Sequence, residues 1–137
     1  TGRVVHETTF EEHSHYVLCL QLIGDYVISG SSDATIQVFD LVTNTALRTL
    51  VGHSDYVTSL AYFGGYLSSG SRDATIRVWD VHTGECLMVL TGHTSYVQCL
   101  QAWNGLLVSG SQDRTVKVWD LDKQMCTKTV ECLDSVK

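Results

Sequence analysis

The sequence predicts an all-β protein made of repeated four-stranded antiparallel units. A twelve-residue segment recurs three times at a spacing of 40 residues, as SGSSDATIQVFD, SGSRDATIRVWD and SGSQDRTVKVWD. The second half of each segment alternates between polar and apolar residues, which is typical of a half-buried strand. No stretch repeats apolar residues every 3.6 positions over the length of a helix. Together these observations favour short strands joined by tight turns.

The repeat extends well beyond the shared segment. Residues 52–80 and 92–120 are identical at 15 of 29 positions, which chance does not produce. The upstream half of each unit keeps the same register, so the boundaries of the units can be predicted. The predicted units are 13–52, 53–92, 93–131, and the start of a further, degenerate repeat at 132–137.

The second unit shows its four strands, here named a to d, most clearly. Strand a is predicted over Tyr56–Leu60, and Gly64–Gly65 then supplies the positive φ angles of a tight hairpin turn. Strand b, Tyr66–Gly70, leads through a polar turn into strand c, Thr75–Trp79, whose Ile and Val point inward. Strand d is predicted over Cys86–Leu90. The equivalent a–b turns are Gly24–Asp25 and Asn104–Gly105.

One further strand is predicted ahead of the first unit. Residues 3–10 align with strand d of the later units, so residues 1–12 are expected to hold a surplus outer strand.

Composition and charge exclude several classes of function. The 137 residues include 9 Lys and Arg against 15 Asp and Glu, a formal net charge of −6 without any basic run. Such a chain lacks the positive surface of a nucleic-acid binder or of a protein held on an anionic membrane. The five cysteines are odd in number and form no Cys-x-x-Cys pair, which predicts a reducing compartment, the cytoplasm or the nucleus.

The repeats resemble those of the WD40 family. Three features carry the resemblance: the period of 40 residues, a Gly-His pair near the start of a unit and a Trp-Asp pair at the end of strand c. The resemblance covers nearly the whole chain and implies four-stranded blades of a β-propeller. The first repeat departs from the pattern, with Glu12 in place of Gly and Phe39 in place of Trp. The matching pairs are Gly52-His53, Gly92-His93, Trp79-Asp80 and Trp119-Asp120.

Three blades are too few to close a propeller, which needs about four or more. We therefore expect either a part of a larger propeller of about seven blades or a homo-oligomer that pairs its open blade faces. The surplus strand and the absence of an initial Met favour the first alternative.

Ser, His and Asp recur in every unit, and they are the residue types of a hydrolase triad. Because the set occurs three times at one spacing, we expect a structural role and no catalytic residue. In the proteins that this chain resembles, Trp, Ser, His and Asp form a hydrogen-bonded chain inside each blade. Phe39 has no N–H to donate, so a truncated network is expected in the first unit. The predicted network residues are His13, Ser29, Asp33, His53, Ser69, Asp73, Trp79, His93, Ser109, Asp113 and Trp119.

The sequence predicts no metal site and no cofactor. His13 and His15 resemble a metal-binding pair, but no third ligand accompanies them. No glycine-rich phosphate loop precedes a helix. The final Asp of each twelve-residue segment, as in Asp80, is predicted to be a turn residue.

Two pairs of cysteines occupy positions that other repeats fill with small residues. Cys19 and Cys99 align with Ser59, and Cys86 and Cys126 align with Ala46. All four are predicted to be buried small apolar side chains.

We expect function to reside in recognition on the face of the propeller that family members call the top. The resemblance points to three positions per blade: the residues on either side of the first Val of strand a and the residue before the network Asp. Tyr and Arg favour binding, and Arg72 is the one cation of the set. The tyrosines could alternatively pack across neighbouring blades. The nine positions are Tyr16, Leu18, Ser32, Tyr56, Thr58, Arg72, Tyr96, Gln98 and Gln112.

The sequence thus predicts a non-catalytic scaffold that binds a protein or peptide. The units are also similar to the propellers of F-box ubiquitin-ligase receptors, so a substrate-receptor role is the first alternative. A self-assembling structural module and a Ser-His-Asp hydrolase are the remaining alternatives.

Overall fold

The computed structural model describes residues 13–137, which form three four-stranded antiparallel sheets. The all-β prediction is confirmed, and each sheet places its four strands in chain order. We call the sheets blades 1, 2 and 3. The predicted surplus strand at 3–10 lies outside the described residues. The strands are β1 Val17–Ile23, β2 Tyr26–Ser31, β3 Ile36–Asp40, β4 Thr45–Leu50, β5 Val57–Phe63, β6 Tyr66–Ser71, β7 Ile76–Trp79, β8 Cys86–Leu90, β9 Val97–Trp103, β10 Leu106–Ser111, β11 Thr115–Asp120 and β12 Met125–Glu131.

Several strand ends differ from those predicted for blade 2. Strand β5 begins one residue later than predicted and continues to Phe63, because its pairing with β6 runs on until Phe63 faces Tyr66. Strand β6 extends to Ser71. Strand β7 begins at Ile76 rather than at Thr75, whose carbonyl oxygen closes the b–c turn by accepting a bond from the Ser71 N–H. The predicted bounds of β8 are confirmed.

The hydrophobic core lies at the two junctions between blades. Inward residues of strands b and c in one blade pack against strand a and the aromatic residue of the next blade. Val78 and Val97, which meet at the second junction, are completely buried. The buried residues of the first junction are Ile28, Ile36, Val38, Leu50, Val57, Leu67, Trp79 and Val81, and those of the second are Ala61, Ile76, Val78, Leu90, Val97, Leu107, Trp119 and Leu121.

A glycine in strand b allows each blade to approach the next one closely. A Cβ atom added to Gly70 would lie only 2.6 Å from Cγ1 of Val97 in blade 3. The C-terminal segment repeats this contact, because Val136 lies against Gly110 and its N–H donates to the carbonyl oxygen of Ser111. The three pairs are Gly30 with Val57, Gly70 with Val97, and Gly110 with Val136.

The outer faces of blades 1 and 3 expose apolar side chains. Leu20 and Leu22 of blade 1 are 66% and 62% exposed, whereas their equivalents in blade 2, Leu60 and Tyr62, pack into the first junction. Trp103 of blade 3 is 70% exposed. Within residues 13–137, no helix is long and apolar enough to cross a membrane.

Candidate functional site

A chain of hydrogen bonds joins Trp, Ser, His and Asp inside blade 2. The indole N–H of Trp79 donates to Oγ of Ser69 over 2.8 Å, and that oxygen lies 2.7 Å from Nε2 of His53. Nδ1 of His53 lies 2.8 Å from Oδ2 of Asp73. Since the Asp73 carboxylate can only accept, Nδ1 of His53 donates to it, and in the neutral imidazole Nε2 then accepts from the Ser69 hydroxyl. The chain ties strand c and the b–c turn to the loop before strand a.

Blade 3 repeats this geometry, and blade 1 contains a shorter version. Trp119, Ser109, His93 and Asp113 are joined over 2.8, 2.7 and 2.8 Å. In blade 1 the corresponding bonds of His13 to Ser29 and to Asp33 measure 2.7 and 3.0 Å. The indole donor is missing there because Phe39 replaces Trp.

Each network also contains a threonine that was not predicted. Oγ1 of Thr75 donates to Oδ1 of Asp73 over 2.6 Å, and the Thr75 backbone N–H donates to the same oxygen over 2.9 Å. The signal was present in the sequence, because Asp followed two residues later by Thr is the spacing of a side-chain-closed turn. The equivalent threonines are Thr35 and Thr115.

The burial of these groups disfavours catalysis. Ser69 and Ser109 are completely buried, so their hydroxyls cannot reach a substrate, and Ser29 is only 3% exposed. Burial lowers the pKa of His93 and outweighs the opposing effect of the Asp113 carboxylate. The imidazole is therefore held neutral, in agreement with its place between a hydroxyl donor and a carboxylate acceptor.

The network carboxylates are held in the charged form. Burial alone would raise the pKa of Asp73, but the hydrogen bonds from His53 and Thr75 outweigh it and hold this pKa well below its usual range. The pKa of Asp113 is lowered in the same way, against burial, by bonds from Thr115 and His93.

We expect the free energy of unfolding to fall as the pH is lowered from neutral. His93 has a lowered pKa in the folded state, so the unfolded chain binds its proton more readily below about pH 6.5. Asp73 and Asp113 lower the free energy of unfolding further below about pH 5, because protonating them breaks hydrogen bonds that only the folded state makes. Urea unfolding at a series of pH values measures this dependence. The Asp113→Asn variant should give a shallower profile in the acidic range, and a profile identical to that of the unchanged chain would contradict the account.

The b–c turns and the starts of strand a form the top face. In every blade, one backbone hydrogen bond joins the b–c turn to the start of strand a. The N–H of Arg72 donates to the carbonyl oxygen of Tyr56 over 2.9 Å. The residue before the network Asp therefore always lies beside the residue before strand a. The same bond, also of 2.9 Å, joins Ser32 to Tyr16 and Gln112 to Tyr96.

Arg72 lies between two tyrosines of neighbouring blades. Its guanidinium carbon is 4.2 Å from the ring centroid of Tyr56 in blade 2 and 5.1 Å from that of Tyr96 in blade 3. Both distances are within the range of a cation–π interaction. Each tyrosine remains 36% exposed, and Tyr16, whose blade has no described neighbour on that side, is 82% exposed. The tyrosines therefore pack across a junction and also present ring surface to solvent.

The other predicted top-face residues fall into two groups. The Thr58 hydroxyl lies within hydrogen-bonding distance of the carbonyl oxygens of Gly70 and Val97, so this side chain links blades 2 and 3. Oγ of Ser32 accepts a bond from the backbone N–H of Tyr16. Thr58 and Ser32 therefore make hydrogen bonds within the protein itself. The remaining three are at the surface or half-buried: Leu18, which is 43% exposed, Gln98 and Gln112.

A second arginine on this face was not predicted. Arg114 is exposed in the b–c turn of blade 3, where it adopts a φ of 71°. Blades 1 and 2 have Ala34 and Ala74 at this position, with φ of 72° and 71°. Because Arg114 aligns with alanines in the other repeats, the repeat pattern did not predict that its charged side chain lies at the surface.

The cysteines and histidines form no metal site within residues 13–137. The five cysteines are free and half-buried, so the prediction that Cys19, Cys86, Cys99 and Cys126 are buried was wrong. These four cysteines lie in strands a and d, which are the two edge strands of each blade. Burial raises the pKa of the Cys19 thiol to about 11 despite a bond from the Gly30 backbone.

The final aspartates of strand c act as turn residues, as predicted. Oδ1 of Asp80 accepts backbone N–H bonds from His82 and Thr83 over 2.9 and 3.3 Å. Asp40 and Asp120 close their c–d turns with the same pair of bonds.

Successive four-stranded blades with a hydrogen-bonded Trp–Ser–His–Asp chain inside the blade define a repeat protein of the β-propeller class. The sequence profile described as "WD domain, G-beta repeat" matches residues 5–40, 44–80 and 84–120. The chain therefore belongs to the WD40 family. Repeats of this family serve as scaffolds for protein interaction.

Solved structures agree with this assignment. A structure of U3-55K and a crystal structure of the RRP9 WD40 repeats both superpose with a TM-score of 0.88, at 27% and 28% identity. Each covers 92% of this chain, and the chain covers 42% of each of those chains. F-box/WD repeat-containing protein 7 of Drosophila melanogaster is 47% identical over 38 residues, which are 28% of this chain and 3% of that protein.

Proposed function

We propose that this chain is a non-catalytic interaction scaffold whose top face docks an acidic segment of a protein or peptide partner. The observation that carries the proposal is the position of Arg72 between Tyr56 and Tyr96 at the junction of blades 2 and 3. Loops on a rigid scaffold are where binding residues concentrate, and the b–c turns of the blades are such loops.

The stacking of Arg72 leaves its hydrogen-bonding capacity available. Aromatic rings interact with the flat face of a guanidinium, whereas its N–H donors point outward in the plane and match a carboxylate or a phosphate. Within residues 13–137, the ion pairs join only network histidines to aspartates, so Arg72 has no carboxylate partner there. Two tyrosines that hold the side chain in place reduce the entropy lost when a partner binds.

The rest of the molecule supports recognition rather than chemistry. The Ser, His and Asp sets are used in buried structural networks, as the burial of Ser69 and Ser109 indicates. The net charge of −6 favours a protein partner over a nucleic acid. Against this negative background, the positive charge of Arg72 marks the top face. An intracellular location, cytoplasmic or nuclear, fits the five free cysteines.

A narrower form of the proposal is a substrate receptor of the F-box/WD type. The 38-residue match to the Drosophila protein prompts this alternative without singling it out. Arg72 is the one cation among the nine predicted top-face positions, whereas a phosphopeptide reader would place several there. An F-box sequence in the same polypeptide would support the alternative.

Arg72→Ala is expected to abolish the selection of acidic peptides. The chain is immobilised and used to select from a displayed peptide library in which Asp- and Glu-rich peptides compete with matched Asn and Gln versions. The unchanged chain should enrich acidic peptides. Loss of a charge-assisted hydrogen bond should then weaken the best peptide by about tenfold or more in the variant.

Lys123→Ala is the matched control. Lys123 is exposed in the c–d turn of blade 3, at the opposite edge of the sheets, so this change removes the same charge away from the top face. Arg72→Lys, which keeps the charge and loses the planar fork, should fall between the two. If Lys123→Ala weakens binding as much as Arg72→Ala, the acidic peptides would be attracted by the positive charges of the chain in general rather than by Arg72, and the proposal would fail.

A further inference from the structure

A cavity on the opposite edge of the molecule differs from the top face in both shape and charge. It has a volume of about 450 Å³ and lies between blades 1 and 2, where the a–b and c–d turns meet. Strand b runs from this edge to the b–c turn, so the cavity and Arg72 are at opposite ends of the strands. We call it the lower groove. Its principal walls are Asp25, Tyr26, Asp40, Tyr62, Val81 and His82.

The lower groove combines aromatic walls with carboxylates. Tyr26 and the ring of His82 meet edge to face, with centroids 6.2 Å apart, and Tyr62 also lines the space. Oδ1 of Asp40 is used by the c–d turn, where it accepts the N–H of Val42 over 2.8 Å, and Oδ2 takes no part in that turn. Asp25 is an exposed turn residue. Among the described residues that line the groove, none is Lys or Arg.

The second blade junction provides an internal comparison. The cavity at the equivalent edge between blades 2 and 3 has a volume of only about 200 Å³. By the register of the repeats, Ala102 replaces Tyr62 there, and Gly65 replaces Asp25. Tyr62 and the a–b turn carboxylate of Asp25 are therefore specific to the first junction, whereas the second junction keeps a tyrosine, Tyr66, and has Asp122 at the position of His82.

We propose that the lower groove binds the side chain of a lysine or arginine from a peptide or protein partner. An aliphatic stem fits against the tyrosine rings and Val81, which is buried and apolar, while the cationic head meets the carboxylates of Asp25 and Asp40. Charge complementarity selects this occupant over an acidic or purely apolar one, since the groove supplies two carboxylates and no described cation. This site is independent of the proposed acidic docking on the top face.

The test uses small probes and backbone amide NMR on the 137-residue chain. The cationic probes are the N-acetyl, N-methylamide derivatives of lysine and arginine, and the neutral probe is the same derivative of norleucine. We expect the cationic probes to shift the amide signals of Gly24, Gly65 and His82, which belong to residues of the groove. The neutral probe, which lacks the charge, should bind at least about threefold more weakly.

Two charge-matched variants decide whether the groove is responsible. Asp25→Asn removes one carboxylate from the groove, and Asp122→Asn removes one from the equivalent edge of the second junction. Asp25→Asn should weaken lysine binding by about three- to fivefold, and Tyr62→Ala by a similar factor, whereas Asp122→Asn should leave it unchanged. Equal weakening by both Asp variants, equal binding of norleucine, or shifts confined to the top face would overturn the proposal. Arg72→Ala should not affect this binding, so failure here and failure of the proposed function are distinguishable.

Discussion

Ser69→Ala is expected to lower the free energy of unfolding by about 3 kcal/mol. The variant removes a hydroxyl that both accepts the indole N–H of Trp79 and bonds to Nε2 of His53. Trp79 is 1% exposed, so its N–H would be left without water or protein as a partner. An unsatisfied buried donor costs more than the bond that it made. Urea unfolding followed by tryptophan fluorescence measures the change.

Ser29→Ala is the matched control for this variant. Ser29 occupies the same position in blade 1, where Phe39 replaces the tryptophan and only His13 loses a side-chain partner. Ser29→Ala should lower the free energy of unfolding by only about 1 kcal/mol, because no indole N–H is left without a hydrogen-bond partner. If the two variants were equally destabilising, the indole bond would contribute nothing and the account of the network would be wrong.

Gly70→Ala is expected to destabilise the junction of blades 2 and 3 by about 2–3 kcal/mol. The new Cβ would lie 2.5 Å from Oγ of Ser59 and 2.6 Å from Cγ1 of Val97. Val97 belongs to blade 3 and is completely buried, which means that the blades must separate to relieve its contact with the new methyl group. Thermal or urea unfolding reports the loss.

A double-mutant cycle with Val97→Ala identifies the cause of this loss. Val97→Ala alone destabilises by leaving a cavity, but it also removes the Cγ1 atom that the new methyl group would meet. The Oγ of Ser59 has no hydrogen-bond partner and can rotate away. The double variant should therefore be more stable than the sum of the single effects predicts, by about 1 kcal/mol or more. Additive effects would show that the blades do not meet at Gly70 as described.

The repeat explains why the fold could be predicted from the sequence. Blades 1 and 2 bury the same positions against the next blade, so the alternation that marks Ile76 and Val78 as inward also marks Ile36 and Val38. Strand ends were harder to predict, because backbone pairing continues after the alternation stops. Phe63 is 43% exposed and yet pairs with Tyr66.

The candidate site could be predicted only in part. Repeat alignment places Tyr56 and Arg72 on the top face of one blade, and the structure also places Tyr96 of the next blade against the same guanidinium. That second contact depends on the path of a long side chain across a junction, which no pattern in a single repeat encodes. The lower groove was missed for a related reason, since Asp25 and Tyr62 come from different repeats and converge only when the blades pack.

The central claim is that recognition and stability depend on different residues of each repeat. Its most direct test compares Arg72→Ala with Ser69→Ala in one experiment that records both the melting temperature and the binding of the best acidic peptide, at a temperature where both variants are folded. The account predicts that Arg72→Ala loses binding by about tenfold while its melting temperature stays within about 2 °C, because an exposed side chain contributes little to stability. Ser69→Ala should melt several degrees lower and still bind the peptide. If Arg72→Ala unfolds the protein, or if Ser69→Ala abolishes binding by folded protein, the two sets of residues are not separate and the account is contradicted.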